Sequence, residues 1–438
     1  MRRDLMTKLV EWKNSNNRKP LILGGARQVG KTWLMKEFGK QEYENVAYVN
    51  FEDNENLSQL FNNGYNVKLA IEWISAQTGE DINPGKTLII LDEIQAFPKT
   101  LTSLKYFNEN APEYHVIAAG SLLGVSFHQG VSFPVGKVNR LTLEPLSFCE
   151  FLRAFGEDKL VEQMEANNLQ LVTMFRNTLE NYLKKYYLIG GMPAAVMTYL
   201  NTKSWRQTKN AQKELLNDYL NDFSKYADIT TTKRINLVWE NIPNQLAKEN
   251  RKFVFGALKG GARASEFELA IQWLSDAGLI RVVNRVGKPS LPLVGYQKMN
   301  SFKIYLLDIG LLSYMSNLDE SIVLEKNDIF TEFKGALTEQ FVCQELHAGG
   351  LDELFYWSND NHQGEIDFLM QLHGSIVPIE VKAEENLQAK SLKAFRDKFH
   401  PPVSVRTSLS DYRDEGWLVN IPLYMISQIE KLLEGREG

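Results

Sequence analysis

The sequence predicts an α/β protein of several domains: a parallel sheet at the N-terminal end, a helical connector, a winged helix, and a second α/β domain at the C-terminal end. Three observations carry this. Gly25-Ala26-Arg27-Gln28-Val29-Gly30-Lys31-Thr32 has the spacing G-x-x-x-x-G-K-T. Leu88-Ile89-Ile90-Leu91 is an apolar run that ends in Asp92-Glu93. The last third reads helix, three strands, helix, strand, with Glu380-Val381-Lys382 on its third strand.

The first motif lies between the apolar run Pro20-Leu21-Ile22-Leu23 and a helical pattern from Trp33-Leu34-Met35 to Phe38, which is a strand-to-helix turn. Gly25 and Gly30 let the backbone wrap closely, so that the N–H groups of Ala26, Arg27, Gln28 and Val29 and the helix N-terminus face a triphosphate such as that of ATP. Lys31 is expected to neutralise the β- and γ-phosphates, and Thr32 to ligate Mg²⁺.

Val46-Ala47-Tyr48-Val49-Asn50-Phe51 reads as the next strand. The run before Asp92 has the continuous apolar character of a strand buried on both faces, and ligands bind beyond the C-terminal ends of such strands. Asp92 there suits Mg²⁺ held through water, and Glu93 suits a group that polarises an attacking water. His115-Val116-Ile117-Ala118-Ala119-Gly120-Ser121 is a further strand. Ser121 has two readings, a polar sensor of the γ-phosphate or a helix cap.

With these motifs on the page, the chain resembles prokaryotic AAA-type ATPases, related to the signal-transduction ATPases, that carry a C-terminal restriction-endonuclease-like domain. The resemblance rests on Gly24 to Thr32, Leu91-Asp92-Glu93-Ile94-Gln95, Ala119-Gly120-Ser121, Leu143-Glu144-Pro145-Leu146-Ser147-Phe148-Cys149-Glu150-Phe151 and Gly190-Gly191-Met192-Pro193. It continues into the C-terminal third. Where the family often has Gly-Arg, this sequence has Gly136-Lys137, which leaves either Arg140 or no residue as an arginine finger. The expected divisions are an ATPase domain at 1–150, a helical lid or connector at 151–230, a winged helix at 231–320 and a nuclease-like domain at 321–438.

From Phe151 to about Asp228 apolar residues recur at helical spacing, broken at Gly190-Gly191-Met192-Pro193, and Tyr182, Tyr186, Tyr187 and Tyr199 read as helix packing. Ala264 to Ser275 is helical, and Leu279-Ile280-Arg281-Val282-Val283 follows as a strand. Helix, turn, helix, strand and basic loop is a winged-helix order. Glu266, Glu268 and Asp276 make the candidate recognition helix acidic, whereas Arg281, Arg285, Lys288, Lys298 and Lys303 have no carboxylate among them. DNA reading and a docking or relay role therefore both stand.

In the last third, elements are expected at helix Phe333 to Leu346, strands Leu354 to Trp357, Glu365 to Gln371 and Ile376 to Ala383, helix Ser391 to Phe399, and strand Val403 to Arg406. Period-two alternation puts Glu380 and Lys382 on one face, and a hairpin at His373-Gly374-Ser375 brings Asp367 alongside. Asp367, Glu380 and the Val381 carbonyl are hard oxygen donors suited to Mg²⁺ or Mn²⁺. Lys382 is placed to orient and deprotonate a water, and Glu339 completes the acidic group. The resemblance implies the same set, since Asp367, Glu380 and Lys382 match the D-(E)-x-K pattern of that superfamily and Glu339 its helix acid. A nuclease fold without cleavage is the competing reading.

Composition bounds the rest. The 438 residues are 44% hydrophobic and 24% charged, as in a globular protein, and the net charge of -5 excludes a wholly basic binder. Cys149 and Cys343 have no disulfide or zinc spacing, and the His residues show no paired ligand spacing. The start, Met1-Arg2-Arg3-Asp4-Leu5, lacks the apolar core of a signal peptide, so a cytoplasmic protein without a membrane span is expected. Two functional expectations follow. In one, ATP binding or hydrolysis gates cleavage of nucleic acid, with DNA preferred over RNA. In the other, the protein is a nucleotide-operated switch that binds DNA or a protein partner, with a nuclease fold that does not cleave; a homo-oligomer is compatible with either.

Overall fold

The computed structural model describes residues 1–52, 66–97, 99–120, 134–248, 251–324, 331–359, 364–385 and 388–436. They form two compact units. One comprises Arg2–Glu144 with Asp276–Leu279, and the other Pro145–Ser275 with Ile280–Gly438.

The N-terminal unit is a parallel sheet of β1 (Leu21–Gly24), β2 (Asn45–Asn50), β3 (Thr87–Asp92), β4 (His115–Ala119) and β5 (Asn139–Thr142), in the order β2-β3-β4-β1-β5. Every neighbouring pair is parallel. All positions of β3 and β4 are buried, as the continuous apolar runs predict. Helices Lys31–Glu42, Val67–Thr78 and Lys99–Asn110 supply the crossovers. Ile22, Val49, Ile74, Leu91, Leu104 and Val116 lie in one apolar cluster of this unit. Because the strands are parallel, the loops after β1 and β3 leave the same edge, with the end of β4 between them.

The other unit begins with helices that include Phe148–Ala154, Arg176–Ile189, Pro193–Thr202, Trp205–Tyr226 and Ile229–Leu246. Ser147 and Glu150 close a reciprocal capping box on the first. Tyr186, Tyr187 and Tyr199 are buried in these helices. Gly190-Gly191 is the turn between two of them: Gly190 has φ 75°, and the Gly191 N–H donates to Asp308 Oδ2 at 2.6 Å. A Cβ at Gly191 would collide with the backbone of Leu146, so close approach requires glycine here.

Helix Ala264–Asp276 leads through a turn into β6 (Ile280–Val286), which pairs antiparallel with β7 (Gln297–Leu306). A helix and a two-stranded hairpin of the expected winged helix are therefore present, but the expected first helix is only a single 3₁₀ turn, Phe255–Ala257, and the hairpin is not free-standing. β6 also pairs in parallel with β8 (Phe355–Ser358). With β9 (Glu365–Leu372), β10 (Ser375–Val381), β11 (Ser404–Ser408), β12 (Arg413–Asp414) and β13 (Leu418–Pro422) it forms one eight-stranded sheet, β12-β13-β11-β10-β9-β8-β6-β7. The sheet runs across position 320, so no strand boundary separates the expected winged helix from the expected C-terminal domain. Val286, Phe355, Trp357, Ile366, Leu369 and Phe395 pack together on it.

Helices Thr331–Ala348 and Lys390–Phe399 complete the expected order of elements in the last third. β9 and β10 pair from Leu372↔Ser375, and both connecting residues have positive φ, His373 at 47° and Gly374 at 81°. That is the two-residue turn whose twist matches a hairpin. Two of the five bases read as a basic loop are internal. Arg285 is buried and donates to the Ser358 carbonyl at 3.2 and 2.5 Å, and Lys303 is fully buried.

Candidate functional sites

At the end of β1 the backbone turns with Gly25 at φ 131°, Gln28 at 64° and Gly30 at 99°. A Cβ at Gly25 would collide with the Leu143 carbonyl, so this glycine serves both conformation and space. Ala26, Arg27 and Val29 complete the loop, with Ala26 and Val29 buried, and helix Lys31–Glu42 starts directly after Gly30. Its N-terminus faces the loop, where its free N–H groups favour an anion. The Lys31 ammonium folds back onto the Gly25 and Ala26 carbonyls at 2.9 and 2.8 Å. Burial lowers its pKa to about 8, against the pull of Glu93 and Asp92.

Thr32 donates its hydroxyl to Asp92 Oδ2 at 2.7 Å, and the Tyr48 hydroxyl reaches the same oxygen at 3.1 Å. The helix start and the end of β3 are thereby joined at the two side chains expected to handle Mg²⁺. Glu93 has φ 52°, an uncommon conformation for a residue with a Cβ, and Gln95 donates to its carboxylate at 2.5 Å. Burial raises the Glu93 pKa, with the Gln95 hydrogen bond opposing. Ser121 lies outside the described residues. Lys137 pairs with Glu109 at 2.9 Å, and Arg140 is an exposed residue of the edge strand β5.

The C-terminal acids also come together. The register of β9 and β10 makes Asp367 and Glu380 cross-strand neighbours, and Asp367 Oδ2 accepts the Val381 N–H at 2.7 Å. Lys382 Nζ is 2.7 Å from Glu380 Oε1, whereas the buried Glu380 Oε2 has no hydrogen-bond partner among the described residues. Glu339, on helix Thr331–Ala348, hydrogen-bonds Asp367 and accepts from the Tyr305 hydroxyl at 3.0 Å.

Two cations enter this group. Arg251 pairs with Glu339 Oε1, and Lys303 Nζ lies 2.5 Å from Glu365 and 3.6 Å from Glu339 Oε2. Burial disfavours charge on Glu339, but Lys303 and Arg251 outweigh it and lower its pKa. For Asp367, burial and then the Glu339 charge push the pKa well above the usual carboxylate range. Lys303 is raised although burial opposes it, because Glu339, Glu365 and Asp367 surround it. Among the described residues no three His, Cys, Asp or Glu side chains are gathered so as to hold a metal ion as they stand.

Glu380 Oε2, without a hydrogen-bond partner among the described residues, is an oxygen of the kind a hard divalent cation takes. Asp367, Glu380 and Glu339 are the side chains that would hold such an ion. It would supply charge for an attacked phosphate, and Lys382 lies beside Glu380.

Residues 17–152 match a family described as an AAA domain. The N-terminal site is of the AAA-type P-loop ATPase kind. Such a domain implies a bound nucleotide, usually with Mg²⁺. Residues 180–322 and 334–424 match two families described only as domains of unknown function, DUF8612 and DUF4143. The uncharacterized proteins Rv2008c of Mycobacterium tuberculosis and Mb2031c of Mycobacterium bovis are each 31% identical over 110 residues, 25% of this chain and 23% of theirs. The chain thus spans about a quarter of the length of these curated relatives. Among solved structures, the Walker-type ATPase PABY2304 of Pyrococcus abyssi aligns at 13% identity over 72% of this chain and 95% of its own, with TM-score 0.45. The ADP form of the Aeropyrum pernix ORC2 protein aligns at 13% identity over 73% and 93%, with TM-score 0.30. At such scores the likeness bears no functional weight.

Sequence reasoning missed several supports of the AAA-type site. Arg3 donates to the Val29 carbonyl at 2.8 Å and to the Glu144 carbonyl at 2.5 Å, bracing the loop from the chain's start. Tyr48 is legible only as a strand residue, and its hold on Asp92 depends on the β2–β3 register. Gly278, in the turn assigned to this unit, has its Cβ position 3.6 Å from the Ala26 nitrogen. In the C-terminal pocket the missed residues are Arg251, Lys303, Tyr305 and Glu365. No helix among the described residues is long and apolar enough to cross a membrane.

Proposed function

We propose that the protein binds and hydrolyses ATP at Gly25 to Thr32, and that nucleotide state controls a metal-dependent, nuclease-like pocket that acts on nucleic acid. The observation that carries the ATPase half is the Thr32–Asp92 hydrogen bond beside a Lys31 held in the loop. Thr32 and Asp92 handle Mg²⁺, Lys31 the β- and γ-phosphates, and Glu93 the attacking water, with Gln95 fixing its carboxylate. Ser121, after β4, is the γ-phosphate sensor in this reading. In the C-terminal pocket Asp367, Glu380 and Glu339 hold Mg²⁺ or Mn²⁺, and Lys382 orients and deprotonates the water that attacks a phosphodiester. The domain divisions at 150, 230 and 320 describe the chain's functional parts, although the sheet spans the last.

The test is ATP hydrolysis and cleavage of linear, circular and single-stranded DNA and of RNA, by wild type, Lys31→Ala, Glu93→Gln and Glu380→Ala. Hydrolysis lost in the first two, and cleavage lost with hydrolysis kept in the third, is the expected pattern. Wild-type cleavage by Glu380→Ala would sink the nuclease half.

A second reading is favoured by one feature, the neutralisation of the acids by Arg251 and Lys303. Here the protein is a nucleotide-operated switch whose nuclease-like sheet is a recognition surface for DNA or a protein partner. Nucleotide-dependent binding that survives Asp367→Ala, with no cleavage by wild type, would select it.

A further inference from the structure

Arg251 is an unusual occupant of the C-terminal pocket. It comes from the segment after helix Ile229–Leu246 and not from the sheet or helix that bear the acids. Its own φ is 49°, a left-handed conformation that a residue with a Cβ adopts only when its surroundings hold it there. The guanidinium pairs with Glu339 Oε1. Its route passes over Gly335, one turn before Glu339 on the same helix, where a Cβ would stand 2.7 Å from Arg251 Nη2. Glycine in the interior of a helix costs about 1 kcal/mol relative to alanine, so this residue has a steric use, namely passage of the arginine.

Charge gives the arrangement its consequence. Glu339, Glu365, Asp367 and Glu380 face Lys303, Lys382 and Arg251, with Lys303 fully buried and Lys382 committed to Glu380. Of the cations, Arg251 alone reaches in from outside the sheet, and its side chain keeps 18% exposure. Withdrawing it removes one positive charge from beside these acids and Glu380 Oε2, which has no hydrogen-bond partner among the described residues, and so shifts the balance toward one a divalent ion would meet.

We propose that Arg251 is a tethered counter-cation that closes the pocket of Glu339, Asp367 and Glu380, so that a divalent metal ion binds there only by displacing the guanidinium. The inference rests on the reading that this pocket takes a metal. It adds that the pocket is shut in the form seen, and that opening it needs movement of the segment carrying Arg251.

The experiment is calorimetric titration of Mn²⁺ into nucleotide-free full-length protein, comparing wild type, Arg251→Ala and Gly335→Ala, each with and without Glu380→Ala. The difference made by Glu380→Ala isolates this pocket from the ATPase site. Gly335→Ala keeps the arginine, favours the helix and pushes the guanidinium aside, so it remains informative where Arg251→Ala misfolds; circular dichroism checks both. The Glu380-dependent affinity is expected to rise at least tenfold in both variants. Glu380-dependent binding in wild type that Gly335→Ala leaves unchanged or weakens would overturn the tether while leaving the metal reading intact. Absence of Glu380-dependent Mn²⁺ binding in every variant would overturn both.

Discussion

Replacing Lys303 by methionine tests whether the C-terminal pocket is held together by internal charge compensation. Lys303 is fully buried, 2.5 Å from Glu365 and 3.6 Å from Glu339, and Glu339 also lies against Asp367. Methionine keeps most of the volume, so the packing loss is small and the effect is electrostatic. Removing one partner of a buried pair costs about 3–5 kcal/mol, because the remaining charge stays desolvated. The sign with pH is fixed by the carboxylates. In the wild type Lys303 and Arg251 hold the Glu339 pKa below its ordinary value, so its contribution is present above the unfolded pKa of about 4.3 and is lost as pH falls through the folded one. Without Lys303, burial is opposed only by Arg251 and the hydrogen bonds from Asp367 and Tyr305, so the Glu339 pKa lies above its wild-type value and the stability lost through this carboxylate grows as pH rises. The variant's deficit is therefore small near pH 4 and full by pH 8. Urea unfolding at the two pH values, followed by tryptophan fluorescence, reads the difference. A deficit under about 1 kcal/mol at pH 8, or one independent of pH, would refute internal compensation.

In the N-terminal site, Lys31 in the nucleotide-free loop has a pKa of about 8. If the ammonium is the form that meets the phosphates, ATP affinity falls about tenfold between pH 7 and pH 9 as the amine deprotonates; a constant dissociation constant over that range would count against the role. Gly25→Ala adds a Cβ against the Leu143 carbonyl at φ 131°, and loss of detectable ATP binding with retained circular dichroism is expected. Gly191→Ala places a methyl into the Leu146 backbone and disturbs the N–H bond to Asp308; a loss of roughly 3 kcal/mol or more in urea unfolding is expected, and a neutral outcome would show that the turn has room.

What could be read in the sequence was whatever is decided by neighbours along the chain. The loop from Gly25 to Thr32 carries its glycines, lysine and hydroxyl within one turn, so spacing alone identifies it. The His373-Gly374 hairpin was legible for the same reason, and it fixes the pairing of Asp367 with Glu380. Pairings between distant segments left no such mark. β6 and β8 lie far apart in sequence, and nothing in the run Arg281 to Lys303 distinguishes bases that face water from Arg285 and Lys303, which do not. The glycine pair at 190–191 reads as a helix break, yet its conformation is held by Asp308, 117 positions beyond Gly191. The same blindness affects charge: Glu380 and Lys382, set between apolar strand residues in the right order of elements, read as a metal site, and only the folded chain reveals that Lys303 and Arg251 already pair with the acids beside them. Local spacing thus identifies the groups able to do chemistry, whereas the charge that governs whether they can bind a cation is set by residues arriving from elsewhere in the chain.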